Sequence, residues 1–214
     1  PLSIQSLILG QEQDSIGGRF DANQAFNGLL DELLIFDKAI SDSDVVTLYD
    51  NQNIGLNFDG SPRSCLVEKI AEWRMEEASW SGTAGEVIDE TGNFNAQSKG
   101  GASTGRSSPA LVGNPGTCGY GVFDGVDDYI EIPDDPRLDL ETELTITTWI
   151  KPDSLPTSDL KTILSKDENY EFHLNTSGEI LWWWSASSFT TSGANISAGN
   201  WYHVAITYKR IYFF

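Results

Sequence analysis

The chain has 214 residues and is strongly acidic, with 32 Asp and Glu against 13 Lys and Arg and a formal net charge of −19. Such a charge repels nucleic acid phosphates and anionic membrane surfaces, so we exclude nucleic acid as a partner. No apolar run approaches the roughly 20 residues that a membrane helix needs, so we expect no membrane insertion. Residues 1–9 lack the basic start of a signal peptide, and secretion would have to be encoded outside them.

The first feature along the chain is an acidic segment at residues 10–24, which reads GQEQDSIGGRFDANQ. It combines carboxylate and amide side chains with a flexible glycine pair. Calcium takes six to eight oxygen ligands at about 2.3–2.6 Å and needs a backbone that can bring them together. The segment therefore predicts a cation-binding loop. The alternative is a solvated acidic hairpin, which on residue types alone is the more common case.

A strand and a helix follow this segment. Residues 29–36 are apolar on both faces except at Asp31 and Glu32, which predicts a central strand. Ser41 is placed to cap a helix, and Asp44 at the third helical position comes close to a capping box. The apolar stripe of this helix would consist of Val45, Val46, Leu48 and Tyr49.

The rest of the chain contains runs of alternating apolar and polar residues, bounded by Gly, Pro, Asn and Asp. Residues 144–150 and 202–208 are the clearest, and such recurrence predicts an all-β antiparallel sandwich or barrel. Three consecutive tryptophans at 182–184 would alternate between the faces of a strand. Cys65 and Cys118 each precede a predicted strand, which suits a disulfide, and the alternative is two buried free thiols.

Several of these stretches resemble known families. Residues 9–49 resemble the calcium-loop half of a pentraxin or laminin G-like domain, with its GQEQDS-type loop, glycine pair, strand, aromatic-Asp pair and short helix. Residues 123–132 and 144–151 resemble strands of bacterial laminin G-like repeats of pilus-associated or adhesin proteins, and residues 201–208 resemble the pentraxin motif His-x-Cys-x-Ser/Thr-Trp. The last stretch has Ala205 where pentraxins have a cysteine, which favours the broader laminin G-like group. The resemblance implies a concanavalin A-like, jelly-roll sandwich with one short helix.

The resemblance also implies a calcium site. Such domains hold one or two ions in the acidic loop and complete the site from a turn in the other half of the domain. Carried over to this chain, the loop ligands are Glu12, Gln13 through its carbonyl, Asp14, Asp21 and Gln24. The completing pair is Glu168 and Asn169 in the turn at 165–170, with Asp167 as the nearest competitor.

The order of the pieces differs from that of the family, because here the calcium-loop half comes first. We interpret residues 1–58 as a C-terminal half and residues 64–214 as an N-terminal half of a laminin G-like domain, joined by a linker at 50–64. Their combined length suits one sandwich, and a lone tail would leave its apolar face and sheet edges open. We expect the halves to close on each other, within one chain or as a domain-swapped homodimer.

The functional prediction is a calcium-dependent recognition module, extracellular or on a bacterial cell surface, that binds a phosphate, carboxylate or carbohydrate ligand. The alternatives are a calcium-rigidified structural spacer in a tandem-repeat adhesin and a glycoside hydrolase. We expect no enzyme, because no strand has paired carboxylates at hydrolase spacing. His173 and His203 have no sequence-local catalytic partner, and we expect both to be satisfied structural histidines. Residues 89–95 resemble a turn that could hold a further cation with Asp31, and an Asx-type turn is the alternative.

Overall fold

The computed structural model describes residues 7–11, 22–53, 56, 69–106, 119–166, 169–184, 187–190 and 194–209. The strands are β1 (Leu7–Leu9), β2 (Asn27–Phe36), β3 (Lys69–Trp73), β4 (Gln97–Lys99), β5 (Ser103–Arg106), β6 (Gly119–Asp124), β7 (Tyr129–Ile132), β8 (Glu143–Pro152), β9 (Lys161–Lys166), β10 (Tyr170–Leu174), β11 (Ile180–Trp184), β12 (Ser187–Thr190) and β13 (Tyr202–Lys209). The helix α1 spans Asp42–Asn53, and short 3-10 turns lie at Ala22–Gln24 and Pro136–Leu138.

The strands form two antiparallel sheets. The larger sheet has seven strands in the order β12-β11-β10-β9-β1-β7-β4. The smaller sheet has six, in the order β13-β8-β2-β6-β5, with β3 also paired to β2. The prediction of an all-β antiparallel sandwich with one short helix is confirmed. No described helix is both long and apolar enough to cross a membrane.

Strand β2 lies in the middle of the smaller sheet, as its two apolar faces predicted. Along one side it pairs with β8, and along the other it pairs first with β6 and then with β3. Leu30, Leu33 and Ile35 point into the core between the sheets. Leu34 and Phe36 point to the opposite face, where they pack against α1. Both faces of the strand are therefore covered, which explains its nearly continuous apolar sequence.

The break in this strand falls where the two acidic residues interrupt the apolar run. The register between β2 and β8 shifts between Asp31 and Leu34. Glu32 adopts φ of +50°, a conformation that is uncommon outside glycine. Both side chains are nevertheless buried, at 1% and 3% exposure. The shift adds one residue to β2 relative to β8. As a result Leu33 and Ile35 still point into the core, and Leu34 and Phe36 still point towards α1.

Helix α1 begins with the predicted capping box. The Asp44 backbone N–H donates to Ser41 Oγ at 3.2 Å, and the Ser41 backbone N–H donates to Asp44 Oδ2 at 3.0 Å. The Ser41 hydroxyl, which also donates to Asp44 Oδ2 at 2.6 Å, and then the Ser41 backbone N–H lower the pKa of Asp44. The predicted apolar stripe is only partly correct. Leu48 is fully buried, whereas Val46 is 59% exposed and Tyr49 is 42% exposed.

In both sheets a strand from the start of the chain lies between strands that come later in the chain. In the larger sheet β1 lies between β7 and β9. In the smaller sheet β2 lies between β8 and β6. One core contains side chains from both early and late strands, from Leu7 to Val204. In this core Trp182 and Trp184 lie on one face of β11, while Trp183 on the other face is 39% exposed, as the alternation predicted.

We expect Ile35→Ala to lower the free energy of unfolding by about 2–5 kcal/mol, because it opens a cavity at a fully buried position of β2. Val46→Ala, on the exposed face of α1, should change it by no more than ~0.5 kcal/mol. Urea denaturation followed by tryptophan fluorescence measures both. A loss below ~1 kcal/mol for Ile35→Ala would show that β2 is not part of the common core.

Candidate functional site

The acidic segment at 10–24 is closed at its base by backbone hydrogen bonds. The Phe26 N–H donates to the Gly10 carbonyl at 2.8 Å, and the Gly10 N–H donates to the Ile163 carbonyl at 2.9 Å. Gly10 has φ of +86°, and a Cβ there would lie 3.0 Å from the Phe123 ring. Only glycine fits this position without strain. The two described ends of the segment therefore lie next to each other.

Two of the seven predicted calcium ligands lie within the described residues. Gln24 ends the short 3-10 turn and is partly exposed, next to Ala25, which bridges to Thr162 of β9. Asn169 lies in the hairpin between β9 and β10, where its N–H donates to the Lys166 carbonyl at 2.9 Å. The other five predicted ligands lie outside the described residues: Glu12, Gln13, Asp14, Asp21 and Glu168. The competitor Asp167 and the predicted disulfide residues Cys65 and Cys118 also lie outside them.

Asn169 is unusual because its side chain is buried and incompletely hydrogen-bonded. The residue is only 7% exposed, and its Nδ2 has no hydrogen-bond partner within the part of the chain that the structure describes. Leaving such a polar group unsatisfied costs about 1–3 kcal/mol. Rotation of the amide can present either its nitrogen or its oxygen to the same place, so a cation near Asn169 would satisfy this group through its oxygen.

The structure does not bring Gln24 and Asn169 together. Gln24 lies beside the start of β9, near Thr162, and Asn169 lies beyond its end at Lys166. Four residues of strand separate these two ends, which is about 13 Å. Ligands of one calcium ion all lie within about 2.6 Å of it. The antiparallel pairing of β1 with β9 is the reason, because it places Gly10 beside Ile163, at the end of β9 opposite the β9–β10 hairpin.

Three carboxylates that the sequence reasoning missed as a group lie beside the loop base. Asp124, Asp127 and Asp128, at the turn between β6 and β7, have ligand oxygens within 4.8 Å of one another. Asp124 pairs with Asn27 at the start of β2, and the Asp128 carbonyl lies 3.6 Å from the place a Gly10 Cβ would take. The motif FDGVDD was visible in the sequence, but its proximity to residue 10 depends on the sheet.

Two carboxylates of this turn affect the pKa of the third, Asp128. Burial raises the pKa of Asp128, and the negative charges of Asp124 and Asp127 raise it further, while a hydrogen bond from the Asp124 N–H opposes them. Asp124 Oδ1 in turn accepts from the Val126 N–H at 2.8 Å. Clustered negative charge of this kind is reduced by a proton or by a cation.

The turn at residues 89–95 is structural rather than open to a cation. Asp89 is 1% exposed, and its two oxygens accept hydrogen bonds from five donors. The donors are the backbone N–H groups of Glu72, Thr91, Asn93 and Phe94 and the hydroxyl of Thr91. Its carboxylate is therefore occupied within the fold, which agrees with the Asx-turn alternative.

The two histidines occupy different environments. His173 is fully buried, with Nε2 at 2.9 Å from Glu171 Oε2 and Nδ1 at 3.0 Å from Thr162 Oγ1. It is a satisfied structural histidine, as predicted. His203 packs against the rings of Trp149 and Tyr49, with ring centroids at 5.4 Å and 5.9 Å. Its Nε2 is buried without a hydrogen-bond partner among the described residues, so the same prediction is wrong for His203.

Comparison with known proteins connects these features to two families. Residues 3–60 match the pentaxin family, and residues 124–212 match the concanavalin A-like lectin/glucanases superfamily. The chain thus carries a pentraxin-like segment and a laminin G-like segment. This confirms the resemblance predicted from the sequence. The pentraxin-like segment includes the acidic loop and β2, and the laminin G-like segment includes the sheet strands from β7 to β13.

The curated relatives are pentraxins that match only part of the chain. Neuronal pentraxin-2 of Homo sapiens is 46% identical over 55 residues, which is 26% of this chain and 12% of that protein. Pentraxin-4 of Homo sapiens is 51% identical over 43 residues, 20% of this chain and 9% of that protein. Serum amyloid P-component of Bos taurus is 44% identical over 43 residues, 20% of this chain and 19% of that protein. Comparison with solved structures finds no significant match.

We expect the protein to lose stability in mild acid through His203. Burial lowers the folded-state pKa of His203 to about 4, below its ordinary 6.5, so the unfolded chain binds this proton more readily. The free energy of unfolding should fall as the pH drops from 6.5 to 4, by up to ~3 kcal/mol. Denaturation of the wild type and of His203→Phe at each pH isolates the effect, since the carboxylates titrate in both. Parallel pH profiles would contradict the expectation.

Proposed function

We propose that the protein is an extracellular recognition module that binds calcium in the loop at residues 10–24 and uses the ion to hold its ligand. The observation that carries the proposal is the closed base of this loop, where Gly10 and Phe26 are hydrogen-bonded. A loop whose ends meet can surround an ion with side-chain and carbonyl oxygens. The proposed ligands are Glu12, the Gln13 carbonyl, Asp14, Asp21 and Gln24.

The electrostatics of the described residues support a cation at this place. The turn with Asp124, Asp127 and Asp128 lies at the same edge of the sandwich as the loop base. A divalent cation between these elements would reduce the repulsion among their carboxylates. Glu168 and Asn169, predicted to complete the site, would have to reach the ion from the other end of β9. The buried, unsatisfied amide of Asn169 favours including them in the test.

The ligand class follows from the charge of the chain. A protein of net charge −19 repels phosphates and carboxylates unless a cation lies between them. Calcium with open coordination positions supplies that charge and accepts phosphate, carboxylate or sugar hydroxyl oxygens. The module would act by binding and not as an enzyme. Its proposed place is a bacterial cell surface or the extracellular medium, where a disulfide between Cys65 and Cys118 would be stable.

We also propose that residues 1–58 and 64–214 close into one sandwich within a single chain. The positions of β1 and β2 support this, because removing them would leave β7, β9, β8 and β6 with unpaired edges. A domain-swapped homodimer is the alternative. A fragment of residues 64–214 should therefore be largely unfolded, as judged by the absence of a cooperative melt in circular dichroism. A monomeric fragment that melts cooperatively would contradict the proposal.

Calcium titration of matched variants tests the site. Glu12→Gln and Asp14→Asn should each weaken calcium binding by on the order of tenfold or more, since each removes a charged ligand. Glu141→Gln makes the same change at an exposed position outside the loop and should leave the affinity unchanged. Isothermal titration calorimetry gives the affinities. Calcium at about 100 times its Kd should stabilise the wild type by ~2.7 kcal/mol. The calcium affinity of Asn169→Ala shows whether the β9–β10 hairpin contributes a ligand.

Ligand screening with and without a chelator then tests the function. Phosphate monoesters, carboxylates and saccharides should bind in calcium and dissociate when the chelator is added. Binding that is insensitive to chelator would contradict the recognition mechanism. Calcium that raises the melting temperature without any bound ligand would instead favour the structural spacer. Turnover of a glycan would favour the glycoside hydrolase.

A further inference from the structure

A cleft of about 400 Å³ lies between the end of β2, the start of β3 and the turns at residues 89–95 and 136–140. Pockets that hold small molecules have volumes in this range. Asp37 lines the cleft directly after β2, whereas the base of the acidic loop lies before the start of β2. The ten residues of β2 separate the two places by about 30 Å. The cleft is therefore far from the base of the acidic loop.

The walls of the cleft are held together by contacts between these elements. The Thr91 hydroxyl donates to the Ile70 carbonyl at 3.2 Å, which ties the turn at 89–95 to β3. The Arg137 guanidinium ties the same turn to the turn at 136–140. Its Nη1 donates to Asn93 Oδ1 at 3.0 Å, and its central carbon lies 4.5 Å from the centroid of the Phe94 ring. A cleft that is formed before its ligand arrives binds with a smaller ordering cost.

The positive charges that line the cleft have partners. Arg137 donates twice to Asp135, from Nε to Oδ1 at 2.9 Å and from Nη2 to Oδ2 at 2.8 Å. Hydrogen bonds from the Arg137 side chain and then from its backbone N–H lower the pKa of Asp135 to about 2, so this partner stays ionised. Lys69 forms a salt bridge with Glu72. Among the described residues no cation pairs with Asp37, whose carboxylate is exposed at the cleft.

Arg137 keeps hydrogen-bonding capacity in spite of its partners. A guanidinium has five N–H groups, and Asp135 and Asn93 accept from three of them. The side chain is 55% exposed, so the other two can donate to a ligand oxygen. The cleft therefore offers an acceptor with negative charge at Asp37 and fixed donors at Arg137.

We propose that this cleft binds a free α-amino acid with an apolar side chain, independently of calcium. The ammonium group of the ligand pairs with Asp37, and its carboxylate accepts from the remaining N–H groups of Arg137. Its side chain packs against Ile70 and Leu140, the apolar residues of the lining. Such a ligand is dipolar and has no net charge, so the charge of −19 on the chain does not repel it as it repels anions. Charged hydrogen bonds at both ends fix its orientation.

Nuclear magnetic resonance titration of the isotope-labelled full chain with L-leucine tests the site. The buffer contains a chelator, so that the proposed calcium loop is empty, and about 0.15 M salt, which screens long-range charge effects. Leucine should shift the amide signals of Asn93, Phe94 and Arg137. Leucinamide lacks the carboxylate and N-acetylleucine lacks the ammonium group, so each should bind at least about tenfold more weakly.

Matched variants assign the binding to the cleft. Asp37→Asn should weaken leucine binding at least about tenfold but leave that of N-acetylleucine unchanged, because only leucine has the ammonium group. Asp153→Asn makes the same change at an exposed position outside the cleft and should leave leucine binding unchanged. Circular dichroism verifies that both variants fold. The calcium affinity of Asp37→Asn should equal that of the wild type, so this result is independent of the proposed function.

The absence of leucine binding up to its solubility limit would overturn the proposal. So would leucine binding that Asp37→Asn does not weaken, or signals that shift only outside the cleft. If leucinamide binds as tightly as leucine, the site accepts amines in general and the assignment to an amino acid is also overturned. Chelator-resistant binding that Asp37→Asn abolishes belongs to the cleft and not to the calcium loop.

Discussion

The burial of β2 on both faces is the constraint on which the rest of the structure depends. Its inner face contributes Leu30, Leu33 and Ile35 to the core, and its outer face contributes Leu34 and Phe36 to the contact with α1. Phe26, the residue before it, closes the base of the acidic loop, and its last residues lead into the capped helix. Because β2 pairs with β8, β6 and β3, the early part of the chain is built into a sheet made mostly of later strands.

The fold also determines the surroundings of the buried carboxylates. Asp89 and Asp128 are both acidic residues in turns that precede or follow strands, and both are nearly buried. Five donors surround Asp89, whereas Asp128 faces two other carboxylates. The first arrangement stabilises a turn, and the second accumulates negative charge. The difference comes from the backbone around each residue and not from the residue type.

Charge is distributed unevenly over the molecule, so that its surfaces differ in charge. Carboxylates concentrate at the β6–β7 turn, beside the base of the acidic loop. The strand β13 has none, and it lies at the edge of the smaller sheet.

The sequence by itself determined the all-β class, the central strand at 29–36, the capping box of Ser41 and Asp44, and the alternation of the three tryptophans. Each depends on local periodicity or on a contact between near neighbours in the chain. Only the tertiary structure decided that Gln24 and Asn169 lie at opposite ends of β9, that Asp124 lies beside the loop base, and that Val46 is exposed. These depend on strand register and packing between distant segments, which residue patterns do not specify.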